Sequence, residues 1–203
     1  GATVAIQGFG KVGYWTAVGL EKMGLKVIAV SDVNGGVTGF DSVDQLWSHY
    51  KENGNLDLPG TDRLTNQELL ALDVDVLIPA ALADSITAHT APSIKAKIVV
   101  EGANAPTTPE GDQVLNDKGT LVVPDILANA GGVIVSYFEW VQDKQNYFWN
   151  AEEVYQNLDA LMMKAFKEVE TLAANKKSTW REAAHMLGVS RVAEAHKLRG
   201  LYP

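Results

Sequence analysis

The stretch Thr3-Val4-Ala5-Ile6-Gln7-Gly8-Phe9-Gly10-Lys11-Val12-Gly13 decides the fold of this chain. Residues 3–7 read as a buried strand that runs directly into Gly8-Phe9-Gly10-Lys11-Val12-Gly13, a turn of the form G-x-G-x-x-G. Behind the turn, residues 11–23 carry helical spacing, with Val12, Trp15, Leu20 and Met23 tracing a partial apolar stripe. Gly24 stops that helix, and Lys26 to Val30 reads as a second strand of β-branched and small residues. The product is a βαβ unit. In such a unit the first glycine makes the tight turn, the second admits a pyrophosphate close to the backbone, and the third lets helix pack on strand. The helix start adds free N–H groups and partial positive charge for phosphates. The hexapeptide would be weak evidence alone in a chain with 18 glycines; its place between strand and helix gives it weight.

Gly8, Phe9, Gly10, Lys11, Val12 and Gly13 are therefore the first candidate cofactor contacts. Asp32 is the next: it ends the second strand, 19 residues after Gly13, where an acid can accept hydrogen bonds from ribose hydroxyls. A carboxylate there repels a 2′-phosphate and favours NAD, while Lys11 beside the pyrophosphate leaves NADP possible. Val33 follows Asp32 and joins the candidate set. The alternative for Asp32 is a local cap on the Val33-Asn34-Gly35-Gly36 turn. A methyltransferase domain using S-adenosylmethionine shares the glycine-rich turn and the acid; the third glycine, and no recognisable methyl-acceptor motif, place it second.

Further along, residues 33–70 are polar and less periodic, with a Gly35-Gly36 turn, a short helix around Val43–Tyr50, and a Thr65/Glu68 capping box. Strands recur at Val74–Ile78, Ile98–Val100 and Leu121–Val123, separated by helix-like segments near 84–95 and 109–117. Alternation of this kind predicts a Rossmann-like, doubly wound α/β fold with a mostly parallel sheet, followed by C-terminal helices. Residues 132–144 are apolar on nearly all sides and predict a helix buried by the domain and by something else. Asn150 with Glu153, and Thr179 with Glu182, open two more helices, the first to about Ala174 and the second near 180–197. The expected organisation is a dinucleotide-binding region over 1–149 and C-terminal helices over 150–203.

The chain has 203 residues, 46% of them apolar and 21% charged, as in an ordinary globular domain. Its net charge of −8 and lack of a clustered basic footprint argue against a nucleic-acid partner. No apolar run reaches the ~18 residues of a membrane span. Cysteine is absent, which removes disulfides and thiolate metal sites. His49, His89, His185 and His196 are scattered without ligand spacing, so no metal is expected. Position 1 is Gly, followed at once by strand material, and the chain reads as a piece of a larger protein.

Three later motifs carry a resemblance: Pro79-Ala80-Ala81, Glu101-Gly102-Ala103-Asn104, and Pro124-Asp125-Ile126-Leu127-Ala128-Asn129-Ala130-Gly131-Gly132-Val133. With the glycine-rich turn, they resemble the coenzyme-binding half of the glutamate/leucine/phenylalanine/valine dehydrogenase superfamily over essentially the whole chain. Small Ala80 and Ala81 past a strand let backbone approach a nucleotide. The resemblance implies that Asn104 contacts the nicotinamide ribose and that Asn129 lies near the nicotinamide. Holding the Ala105-Pro106 turn, or capping a helix, are the local alternatives. Val133 and Ser136 share a helix face at i and i+3. The resemblance implies that Ser136 hydrogen-bonds the side-chain carboxylate of glutamate while Val133 packs on its methylenes; a bond to the i−4 carbonyl is the local alternative for Ser136. Two departures stand out: Lys11 replaces a common Asn, and Ala105 a common Gly.

The implied reaction is reversible oxidative deamination of glutamate to 2-oxoglutarate and ammonia with NAD(P). The activating lysine and the proton-shuttling carboxylate come, in the family, from an N-terminal substrate domain absent here, so no catalytic residue is assigned in this chain. The resemblance further implies a homohexameric, cytoplasmic full-length enzyme, with this piece alone a monomer or weak dimer that binds cofactor without turnover. A purely structural or interaction module is the alternative from a different class.

Overall fold

A computed structural model describes residues 1–200. Seven strands form one sheet: β1 (Thr3–Gln7), β2 (Lys26–Asp32), β3 (Gly35–Thr38), β4 (Asp62–Leu64), β5 (Val76–Pro79), β6 (Ile98–Val100) and β7 (Leu121–Val123). Their order is β4-β3-β2-β1-β5-β6-β7. The run β2-β1-β5-β6-β7 is parallel, and β3 and β4 add antiparallel at one edge. The fold is thus a Rossmann-like α/β fold.

Strand periodicity explains why both faces are covered. Val4 and Ile6 point into a core with Phe9 of the turn, Val27 and Val30 of β2, Ala17 of α1 (Lys11–Lys22) and Leu46 of α2 (Val43–Asn53). Ala5 points the other way, into a core with Ala29, Leu69, Leu77, Val99 and Leu115, served by α3 (Asn66–Leu70) and α4 (Pro109–Asp117). Strands buried on both faces read as unbroken apolar runs, which is how they appear in the sequence.

Two expectations are corrected. The Gly35-Gly36 pair is a strand, and the turn lies one step earlier at Val33-Asn34. Both glycines are buried because backbone passes close by. A Cβ at Gly35, whose φ is +128°, would lie 2.7 Å from Leu64 O, and one at Gly36 would lie 2.9 Å from Val30 O. A glycine pair signals a turn and a close backbone approach equally well. The segment 84–95 holds only a 3-10 turn at Ala91–Ser93. Its hydroxyls satisfy local backbone instead: Thr90 Oγ1 accepts from Thr87 N at 2.8 Å and Ser93 Oγ donates to Thr90 O at 2.7 Å.

The chain divides into two compact units, Gly1–Asp125 and one that starts at Ile126, so the division falls inside α5 (Asp125–Ala128). The second unit carries α6 (Gly131–Gln145), α7 (Ala151–Lys176) and α8 (Trp180–Arg199). Phe138 is the buried residue of α6, packed 5.3 Å from the Trp149 ring, whereas Val133, Tyr137 and Trp140 are exposed. The apolar periphery of α6 is therefore mostly open, and only its Phe138 side is covered within the chain. α7 and α8 pack on each other, with Val169, Ala173, Ala183 and Ala184 buried, the Phe166 ring 4.9 Å from that of Trp180, and an Arg191–Glu168 ion pair. Among the described residues no helix is long and apolar enough to cross a membrane.

Candidate functional site

The chain leaves β1 to one side for β2 and returns to the other side for β5, so a crevice opens where their carboxyl ends meet. Backbone bonds stitch these ends together: Gly8 N donates to Ser31 O at 2.9 Å and Ala80 N to Gln7 O at 2.7 Å. The three glycines then separate by task. Gly8 has a φ of +100°, and a Cβ there would sit 2.7 Å from Ala80 O and 2.8 Å from Ala81 N. A Cβ at Gly13 would fall 1.8 Å from Gly8 O, so this glycine lets α1 press onto the turn. A Cβ at Gly10 would meet nothing within 4 Å. Packing thus requires Gly8 and Gly13, while Gly10 keeps a bare surface at the N-cap of α1, where no side chain caps the helix.

That surface borders a cavity of about 540 Å³, lined by Gln7, Phe9, Gly10, Asp32, Val33, Tyr50, Asn66, Ala80, Ala81, Leu82, Ala83 and Ser85. Its size is that of a small-molecule site. Six of the residues singled out from sequence meet here: Phe9, Gly10, Asp32, Val33, Ala80 and Ala81. Phe9 is also core, 1% exposed, with Tyr14, Trp47 and Tyr50 edge-on around it at 5.6 to 6.3 Å. Lys11 and Val12 are exposed on the first turn of α1, outside the lining.

Asp32 fulfils its local alternative and still faces the cavity. Its Oδ1 accepts from Asn34 N at 2.7 Å, and its main-chain carbonyl accepts from Asn66 Nδ2 at 3.0 Å. Asp32 is thereby held at the cavity wall by its carboxylate on one side and its main chain on the other. Val33 beside it is 87% exposed.

Asn104 is exposed in the loop after β6 and does not line the cavity. Its neighbour Ala105 has a φ of +45°, a left-handed backbone that glycine adopts at less cost. The loop is anchored from behind. Asp125 Oδ2 accepts from Ala105 N at 2.7 Å, and buried Glu101 accepts from Asp125 N at 2.9 Å. Asn129, Val133 and Ser136 belong to the second unit. The N-cap of α6 is Ala130 and not Asn129, and Val133 and Ser136 are both exposed on α6.

Reasoning from sequence missed Gln7, Tyr50, Asn66, Leu82, Ala83 and Ser85. Gln7 was findable as a polar residue that follows the apolar run Val4-Ala5-Ile6 straight into the glycine-rich turn. Asn66 carried no signal beyond its place behind the Thr65 cap. Among the described residues no group of three or more His, Asp or Glu side chains could hold a metal ion.

The sequence profile of the Glutamate/Leucine/Phenylalanine/Valine dehydrogenase family matches residues 1–200. The chain belongs to this family. Similar relatives include a glutamate dehydrogenase of Thermotoga maritima, 53% identical over 100% of this chain and 50% of the relative. The NAD-specific glutamate dehydrogenase A of Halobacterium salinarum is 48% identical over 99% of this chain and 47% of its own length. Among solved structures, the hetero-hexameric glutamate dehydrogenase from Thermus thermophilus (Leu-bound form) superposes with a TM-score of 0.93 at 37% identity, covering 100% of this chain and 49% of that one. The chain spans about half the length of the curated relatives it matches. In this chain the glycine-rich turn and the Ala80-Ala81 segment meet at one crevice, since a Cβ at Gly8 would strike the peptide joining the two alanines.

Proposed function

We propose that this chain is the coenzyme-binding half of a glutamate dehydrogenase and binds NAD in preference to NADP. The observation that carries this is the pairing of a bare, uncapped helix start at Gly10 with the Asp32 carboxylate on the wall of the same cavity. A cradle that a single Cβ would occupy fits a pyrophosphate, and a carboxylate fits a ribose diol while repelling a 2′-phosphate. The names of the Halobacterium relative above and of the Bacillus subtilis relative, a cryptic catabolic NAD-specific glutamate dehydrogenase GudB 46% identical to this chain, support the same preference.

In this reading the backbone of Gly8 to Gly13, with Phe9, Lys11 and Val12, holds the pyrophosphate, and Asp32 with Val33 holds the adenosine ribose. Ala80 and Ala81 keep the nucleotide's path clear. Asn104 takes the nicotinamide ribose and Asn129 the nicotinamide end, while Val133 and Ser136 receive the glutamate side chain. Bound NAD supplies the hydride acceptor for oxidative deamination. The proton-moving groups come from a substrate domain outside this chain, and the complete protein is a homohexamer. The region 1–149 carries the cofactor, and the helices of 150–203 lead back to that domain.

Calorimetric titration with NAD and NADP tests the proposal. Saturable binding, tighter for NAD, is expected; a structural module would bind neither. In the same assay Asp32→Ala weakens NAD much more than NADP, and equal losses would undo the ribose assignment.

A further inference from the structure

The loop that leaves β6 carries more constraint than a surface turn needs. Glu101 at its start is a wholly buried carboxylate, and Ala105 at its end holds left-handed backbone at a φ of +45°. Asp125, the first residue of α5, joins these two ends. Its N–H donates to Glu101 Oε2 at 2.9 Å, and its Oδ2 accepts from Ala105 N at 2.7 Å. Between the ends, Gly102 N and Ala103 N both donate to Pro79 O, at 3.0 and 2.9 Å. On the other side Ala105 O accepts from Asp84 N at 3.0 Å, and Asp84 is itself left-handed, at a φ of +57°. Exposed Asn104 sits between these pinned peptides. Left-handed backbone under a side chain and a buried charge both cost stability. Such costs cluster where the surroundings over-determine a conformation that function uses.

Resting on the cofactor reading above, in which Asn104 takes the nicotinamide ribose, we propose that Asp125 is a positioning residue for that contact. It acts through Ala105. The N–H it holds belongs to the peptide joining Asn104 to Ala105, so the bond fixes ψ of Asn104 together with φ of Ala105. A charged acceptor makes it one of the stronger hydrogen bonds available to a backbone amide. Released from it, that peptide turns towards the right-handed or extended regions an alanine prefers, and the direction of the Asn104 side chain turns with it. Glu101 sets Asp125 in turn, from inside the core.

The test is calorimetric binding of NAD and of ADP, which lacks the nicotinamide ribose. Asp125→Ala should weaken NAD about tenfold, the worth of one well-placed hydrogen bond, and leave ADP within about twofold. Asp125→Asn should keep NAD affinity within about threefold of the parent, because its Oδ1 accepts at the same place. Adding Asp125→Ala to Asn104→Ala should cost nothing more, since the two act through one contact. The proposal is overturned by an unchanged NAD affinity in Asp125→Ala, or by NAD and ADP falling together, the mark of a merely structural role. It is also overturned by an Asp125→Asn variant as weak as Asp125→Ala, or by losses that add in the double variant. Should Asp125→Ala fail to fold, Asp125→Ser, whose oxygen stops one bond short of Ala105 N, takes its place with the same expectations. Failure of the cofactor reading looks different: the unaltered chain gives no saturable binding of NAD, or Asn104→Ala binds NAD normally. Either result takes this inference down with it.

Discussion

At Gly10 and Gly13 the same residue type answers to different forces. Gly13 is compressed, with Gly8 O where its Cβ would be, so Gly13→Ala should cost on the order of 3 kcal/mol in urea unfolding. Gly10 faces open space, so Gly10→Ala should stay within about 1 kcal/mol of the parent. It should nonetheless weaken NAD about tenfold or more, since its Cβ enters the path of the pyrophosphate. A Gly10→Ala variant that binds NAD normally would show that no ligand approaches there. Ala105 offers the opposite case, a side chain in left-handed backbone at φ +45°. Ala105→Gly relieves that strain at some entropic cost and should raise stability by about 0.5–1 kcal/mol, read as an increased denaturation midpoint.

Among the elements, the helices announced by capping boxes were the most legible. Thr65/Glu68, Asn150/Glu153 and Thr179/Glu182 all form, with the Glu carboxylate accepting from the cap N–H at 2.7, 2.8 and 2.9 Å. Each is a bond within four residues, so the chain need know nothing of its tertiary surroundings. Thr179→Ala removes the hydroxyl that accepts from Glu182 N and should destabilise the second unit by about 1 kcal/mol, measured by chemical denaturation. Strand β3 and the segment 84–95 were misread for the complementary reason. Gly35 and Gly36 are set by the approach of β2 and β4, and Thr87 to Ser93 by a competition between side chain and helix that local pattern does not resolve.

Across the sheet as a whole, the edge opposite the crevice carries the electrostatic anchor of the first unit. Asp75 accepts from Lys97 Nζ at 2.7 Å and from Thr3 N at 2.9 Å, tying β1, β5 and β6 together. Lys97 first, and then the Thr3 amide, hold the Asp75 carboxyl down at about 2. An unfolded Asp titrates near ~3.9, so the folded state releases its proton more readily. The stabilisation is complete above about pH 4 and is lost as pH falls through the folded value. The melting temperature should therefore drop between about pH 4 and pH 2, and Asp75→Asn should flatten that drop while lowering stability at neutral pH. An unaltered acid profile in the variant would assign the acid sensitivity to other carboxylates.

The sequence by itself determined the α/β class, the strand–turn–helix at Thr3–Gly13, the acid at Asp32 and the capped helices, because each rests on bonds or periodicities spanning a few residues. Only the tertiary structure decided that Gly8 is forced by the Ala80–Ala81 peptide, that Asn66 grips Asp32 from 34 positions away, and that Gln7 and Asn66 line one cavity. Those facts depend on which strands become neighbours. Strand order is set by packing two apolar faces at once, a property of the assembled sheet that no single segment contains.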